Sequence, residues 1–266
     1  RNRPRPGHPP LAGVQPGDQL LQLADNWQLC EAAPGRFATP ADLTADLTWM
    51  GAPVLGPVAD ILRRAGQWSL DAEPRRFDAS DWWYRVRFNA PAHITGAKAV
   101  TLGLDGLATV AEVWLNGQQL LVSTNMHLAY QLDVSSVLQD EGNELTLVFR
   151  SLDQALTKRR PRPRWRAPMI ENQQIRWFRT TVLGRTPGWT PPAAVVGPWR
   201  GIWLAAQPSL ELTALDLRAS VDDAGVGRLA VRCGLHTAPA SALAIEQVVL
   251  SLVRDGVRQT WPLALG

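Results

Sequence analysis

The chain has 266 residues, among them 12 Trp, 21 Gly and 21 Pro, and a formal net charge of +3. That length suits one large or two modest domains and can bury a core without disulfide support. No apolar run approaches the ~18–20 residues of a membrane-spanning helix, so a soluble chain without membrane contact is expected, its compartment open between cytoplasm and periplasm.

The first residue is Arg1, not Met, and the opening is rich in Arg and Pro with no apolar signal-peptide core. Residues 1–18 are read as a flexible basic tail. The two cysteines, Cys30 and Cys233, fall in segments assigned to different domains, which points to free thiols and not to a disulfide framework. Pro57 stands where a first helical position belongs. Val58, Ile61, Leu62 and Ala65 follow at i, i+3, i+4 and i+7, and Gly66 supplies the stop. A helix covering one end of a sandwich is predicted there.

From Trp83 onward the apolar period changes to two. Tyr84, Val86 and Phe88 share one face while Arg85 and Arg87 share the other, the pattern of a half-buried strand. Val100, Leu102 and Leu104 repeat it, as do Leu128, Tyr130 and Leu132, and then Leu145, Leu147 and Phe149. Asn116-Gly117 between Val113-Trp114-Leu115 and Leu120-Leu121-Val122 predicts a hairpin, because a type I′ turn needs φ > 0 at both central residues. Short strands with turn signals between them define an antiparallel sandwich or barrel.

Lys158, Arg159, Arg160, Arg162, Arg164 and Arg166 crowd one loop with Pro161 and Pro163, and without them the net charge would be negative. Nucleic-acid recognition needs basic residues spread over a surface with partners for bases, so no nucleic-acid partner is expected. Ile175, Phe178 and Val182 at helical spacing predict a second helix over 175–182, weakened by its two threonines. Ile202 and Leu204 complete a strand, and a boundary is placed at Gln207-Pro208, giving domains 19–207 and 208–266. Leu229, Val231, Cys233 and Leu235 mark one later strand; Val248, Leu250 and Leu252 mark another, turned at Asp255-Gly256. The roughly sixty residues of this last domain fall short of the ~100 of an immunoglobulin-like sandwich, so it is expected to be cut short.

These residues carry a family resemblance in order along the chain. Val54-Leu55-Gly56-Pro57-Val58 through Gly66, then Asp81-Trp82-Trp83-Tyr84-Arg85, are similar to the opening segments of family 2 glycoside hydrolases. Leu104-Asp105-Gly106-Leu107, with Ala111, Val113, Trp114, Leu115, Asn116 and Gly117, resembles that family's central hairpin. Asp133-Val134, Gly142-Asn143-Glu144-Leu145 and Gly201-Ile202-Trp203 resemble its closing segments. The paired tryptophans and the Gly-Ile-Trp ending point toward the β-mannosidase type. The resemblance implies an all-β chain: a galactose-binding-like jelly-roll sandwich followed by part of an immunoglobulin-like sandwich.

The resemblance also implies a retaining glycosidase whose two glutamates sit on a (β/α)₈ barrel, about 5–5.5 Å apart. No such barrel is legible in this chain, so no catalytic residue is assigned, and the fragment alone is expected to be inactive. Asn143-Glu144 imitates the family's acid/base pair, but it enters a strand from a turn and is read as structural. The expected partners are the terminal sugar of an oligosaccharide and a barrel domain missing from the chain. No cofactor is expected. His93 and His127 have no Cys, Asp or Glu at ligand spacing, so no metal site is expected.

In β-mannosidases of this family a Gly-Trp-Asp-Trp-Gly-Pro loop reaches the terminal sugar. The corresponding stretch here is Gly188-Trp189-Thr190-Pro191-Pro192, with Thr190 at the carboxylate position. Trp189, Thr190, Arg185, Arg179 and Asn125 are the candidate sugar-binding residues, and Arg176 is a further guanidinium able to meet an acidic sugar. Bland readings stand beside these: Trp189 as a plug between domains, the arginines as ion-pair partners, Asn125 as a turn cap. A free-standing carbohydrate-binding module and a purely structural module remain alternatives for the whole chain.

Overall fold

A computed structural model describes residues 6–7, 20–44, 47–97, 99–161, 164–206, 210–237 and 245–264. The chain divides into two units, Arg1–Ala206 and Gln207–Gly266. In the first, a five-stranded sheet runs in the order Pro6–Gly7, Ala129–Asp133, Val100–Leu104, Ile202–Ala206, Leu20–Gln22. A six-stranded sheet runs Met50–Val54, Asp25–Ala32, Asp81–Phe88, Asn143–Phe149, Ala111–Leu115, Gln118–Ser123. Every pairing in both sheets is antiparallel, and both sheets are open. This is the all-β sandwich that the alternation predicts.

The core forms where the inward faces meet. Leu102, Leu104 and Leu204 come from the first sheet; Trp27, Tyr84, Val113, Leu145 and Leu147 come from the second. Trp82, Tyr84 and Val86 alternate inward along one strand. The opposite face of that strand departs from the half-buried expectation. Trp83 is fully buried there with Cys30, Phe37 and Val148, under Leu43, Leu47 and Trp49. The segment before Met50 therefore forms a second layer over the sheet's outer face. Arg150 fastens it by donating to the carbonyls of Phe37 and Ala38 and to Asp81 and Glu112.

Asn116 and Gly117 have φ of 50° and 81°, as the I′ turn requires. Asn116 also bonds to the carbonyl of Val137 and to Asn143, so the hairpin tip is tied to the neighbouring strand. Asn143 is completely buried and holds the Gln139 turn through both side-chain atoms, while Glu144 pairs with Arg87 at 2.8 Å. The structural reading of Asn143-Glu144 is the one the geometry supports.

The predicted first helix is present, spanning Val58–Arg64 with Val58, Ile61 and Leu62 buried; Pro57, expected at the first helical position, is its N-cap one residue earlier. The helix predicted over 175–182 is instead a short 3₁₀ turn, Gln173–Trp177, after which Phe178 is extended. The backbone beyond it is taken up elsewhere: Arg179 accepts a hydrogen bond from the Met126 N–H, and the Thr181 N–H points at Met126 Sδ. With three β-branched residues following, Thr180, Thr181 and Val182, a side-by-side contact with the 125–126 loop wins over helix continuation.

Of the tail 1–18, only Pro6–Gly7 belong to the described residues, paired with Tyr130 and Ala129; Arg162 and Pro163 of the basic loop also lie outside them. The second unit contains two antiparallel hairpins, Leu210–Val221 with Gly227–Thr237 and Val248–Arg254 with Val257–Leu263. Asp255 and Gly256 turn the latter with φ of 48° and 77°. Cys30 and Cys233 are free, one in each unit. Among the described residues no helix is long and apolar enough to cross a membrane.

Candidate functional site

Between the helix Leu152–Leu156 and the closing strand at Ile202, the chain makes a long excursion in little regular structure. Its first part is anchored by a small apolar cluster in which Ile175 meets Leu152 and Leu156, with Ile170 and Phe178 packed against it. Asn172 caps the 3₁₀ turn by accepting from the Gln174 N–H at 3.0 Å. Gln173 staples the preceding bend through its amide to Ala167 and Ile170.

The second part is held by a buried charge pair. Arg185 and Asp78 are 3.0 Å apart with side chains 8% and 7% exposed. Arg185 also donates to the Thr181 carbonyl at 3.2 Å. Beyond it, the N–H groups of Trp189 and Thr190 both donate to the Thr186 carbonyl. Thr190 Oγ1 accepts from the Gly184 N–H at 3.0 Å and shares a hydrogen bond with Thr186 Oγ1 at 3.0 Å. A hydroxyl has one proton and two lone pairs, so Thr190 is largely committed to its own loop. The result is a tight knuckle that leaves the Trp189 side chain 74% exposed.

Thr190 and Arg185 line one cleft of about 390 Å³ with Arg76, Asp78, Asp153 and Asn172. Its charges balance in number, Arg75, Arg76 and Arg185 against Asp78, Asp153 and Glu171; Asp78 is held by Arg185, and Asp153 accepts from Arg76 at 2.8 Å. Burial, and secondarily the charge of Asp78, raise the Asp153 carboxyl above its ordinary value, with Arg76 working against them. A locally neutral cleft rich in donors and acceptors suits a hydroxyl-bearing ligand. Asp78, Arg76 and Asp153 carry no motif, and they meet Arg185 and each other across 77 to 107 residues of chain. Sequence reasoning had no signal for them.

Asn125 and Arg179 are brought together separately, through a parallel backbone bridge. The Asn125 side chain accepts from the His127 N–H at 2.9 Å, the turn-capping geometry of its bland reading. Arg179 projects its side chain to solvent. Thr181 joins the two pairs, since its carbonyl meets Arg185 and its N–H meets Met126, next to Asn125. Trp189 is outside the cleft lining. Among the described residues no three His, Cys, Asp or Glu side chains gather as metal ligands.

Of the other tryptophans of the first unit, Trp49, Trp68, Trp114 and Trp199 are half-buried. Trp27, Trp82 and Trp203 are buried and donate their indole N–H to Leu23, Phe77 and Asp105. The three that are exposed, Trp165, Trp177 and Trp189, all belong to the excursion before the closing strand.

An open antiparallel sandwich with such an excursion is a galactose-binding-like jelly roll. The family described as "Glycosyl hydrolase 2 galactose-binding domain-like" matches residues 49–200, more than half of the chain, and the chain belongs to that family. It is 35% identical over 135 residues to β-mannosidase B of Thermothelomyces thermophilus, covering 47% of this chain and 15% of that protein. The chain thus spans about 15% of the length of that relative. In fold it is similar to a β-D-mannosidase from Dictyoglomus thermophilum, with TM-score 0.68, 19% identity, and 93% of this chain and 30% of that one covered. An exo-chitosanase from Amycolatopsis orientalis matches with TM-score 0.55 and 16% identity, over 92% of this chain and 27% of that one.

Proposed function

We propose that this chain is the N-terminal, non-catalytic region of a family 2 glycoside hydrolase of the β-mannosidase type. Its role is to help shape the pocket in which a terminal sugar is held while a barrel elsewhere in the protein supplies the two carboxylates for retaining hydrolysis. The observation that carries this reading is the clustering of every exposed tryptophan of the first unit in residues 165–189. Trp189 presents its indole from a knuckle stapled by Thr190 and by the buried Arg185–Asp78 pair. An exposed indole on a loop whose backbone is held in place offers a face for stacking on a sugar. Thr190, with its hydroxyl turned inward, takes a holding role in place of the carboxylate that grips the sugar in β-mannosidases of the family.

The same exposure of Trp189 favours a second reading, a carbohydrate-binding module that acts without a barrel. Titration of the chain with β-1,4-mannobiose, followed by the indole N–H signals in NMR, separates the two. A pocket wall alone should bind in the millimolar range, shift the Trp189 signal, and lose that shift in Trp189→Ala. A free-standing module should saturate well below ~0.1 mM. No change at Trp189 by ~10 mM sugar would remove both readings.

A further inference from the structure

The excursion holds a second, smaller pocket, of about 180 Å³, between Trp165 and Trp177 and lined also by Pro161, Arg166, Gln173, Gln174 and Arg176. Its chemistry differs from that of the larger cleft. Two arginines, Arg166 and Arg176, line it and, among the described residues, no acidic one does, whereas the larger cleft has arginines and carboxylates in equal number. Its tryptophans are 69% and 48% exposed. Arg176 sits over the Trp165 ring at 5.5 Å, and its Nε and Nη2 donate to the Gln173 backbone and side-chain oxygens at 2.8 and 2.6 Å. That fixes the guanidinium and leaves Nη1 with only a long contact, 3.4 Å, to the Trp165 carbonyl. Among the described residues Gln174 Oε1 is buried without a hydrogen-bond partner. A buried acceptor left unmade is costly, and is explained when a donor arrives with a ligand.

We propose that this pocket is a separate subsite for an acidic pyranose, a uronate unit of an oligosaccharide. A carboxylate matches the fork of Arg166 and Arg176, for which charge-assisted and bidentate hydrogen bonds are the strong ones. A ring hydroxyl donates to Gln174 Oε1, and the C–H face of the ring lies on indole, whose face carries the negative end of its quadrupole. The volume is below the roughly 300–1,000 Å³ of pockets for drug-sized ligands and is suited to a single ring. The subsite rests on the reading that this region handles glycans, but not on which bond is hydrolysed.

Calorimetric titration of the chain with tetragalacturonate and with neutral mannotetraose tests it. The acidic tetrasaccharide should bind at least tenfold more tightly. Trp165→Ala and Arg166→Gln should each weaken it tenfold or more, with melting temperatures unchanged because these two side chains are exposed, and Gln174→Ala should weaken it severalfold. Arg159→Gln, in the same basic loop but outside the pocket, should leave the affinity within twofold. Equal affinity for the neutral sugar, or a loss with Arg159→Gln as large as with Arg166→Gln, would overturn the subsite in favour of general charge attraction. Absence of tetragalacturonate binding would overturn it as well. Because uronate binding is read and not hydrolysis, a protein that binds uronate yet cleaves no mannoside fails only the earlier reading, and the converse fails only this one.

Discussion

Arg185 and Asp78 are 107 residues apart in the chain and almost wholly removed from water where they meet. Removing one partner of such a pair strands a buried charge, at a cost of about 3–5 kcal/mol. Arg185→Ala should therefore lower the melting temperature by roughly 10 °C or more, while Arg185→Met with Asp78→Leu should recover much of the loss. Differential scanning calorimetry reads both. Arg185 stands out in the sequence as a guanidinium beside the Gly-Trp-Thr-Pro-Pro stretch, but its partner does not, because nothing local marks Asp78. Asp153 gives a pH test at the same cleft. Its folded pKa is raised above the ordinary 3.8 by burial first and Asp78 second. Between those two values the folded state holds the proton more tightly, so lowering the pH through that interval stabilises the fold at this position. Asp153→Asn cannot titrate. Its melting temperature relative to the natural chain should be highest at pH 7 and converge as the pH approaches 4; a constant offset would contradict this.

The knuckle from Gly184 to Ala194 depends on backbone that only glycine fits. Gly184 has φ of +79°, and a Cβ there would lie 2.3 Å from the Ala193 carbonyl carbon and oxygen. Gly188 has φ of +82° but open space around it. Gly188→Ala should cost about 1–2 kcal/mol for the dihedral alone, and Gly184→Ala clearly more, since rigid backbone must also move. Chemical denaturation distinguishes the two, and Gly184→Ala should in addition open the loop to proteolysis near Trp189. Elements of this kind are poorly legible in sequence. The hairpin through Asn116-Gly117 and the strands at 100–104 and 143–149 are readable because period and turn chemistry agree. The run from Ile175 to Val182 has helical spacing, yet its hydrogen bonds go to Met126 in a loop some fifty residues earlier, which periodicity cannot see. Trp83 misleads for a similar reason: the layer covering it, from Phe37 to Trp49, has no regular pattern of its own.

The first unit joins an antiparallel jelly roll to one irregular excursion, which carries three exposed tryptophans and is packed down through Ile175 and the Arg185–Asp78 pair. The proposal that the chain is part of a larger glycosidase is supported by its membership of the family 2 galactose-binding-like group and by its likeness to β-mannosidase B. The family's ordered motifs, from Val54 to Trp203, are legible because they build strands and turns. The proposed sugar site is not legible, because Thr190 departs from the β-mannosidase motif and the cleft beside it is assembled from residues far apart in sequence. Hydrolysis of an aryl β-D-mannoside by the gene product carrying this region, compared with its Trp189→Ala variant, tests the pocket-wall role. The variant should lose at least tenfold in kcat/KM, about 1.4 kcal/mol of transition-state binding, with its melting temperature unchanged. An unaltered kcat/KM would contradict the role given to Trp189, and with it the assignment of this region to the sugar pocket.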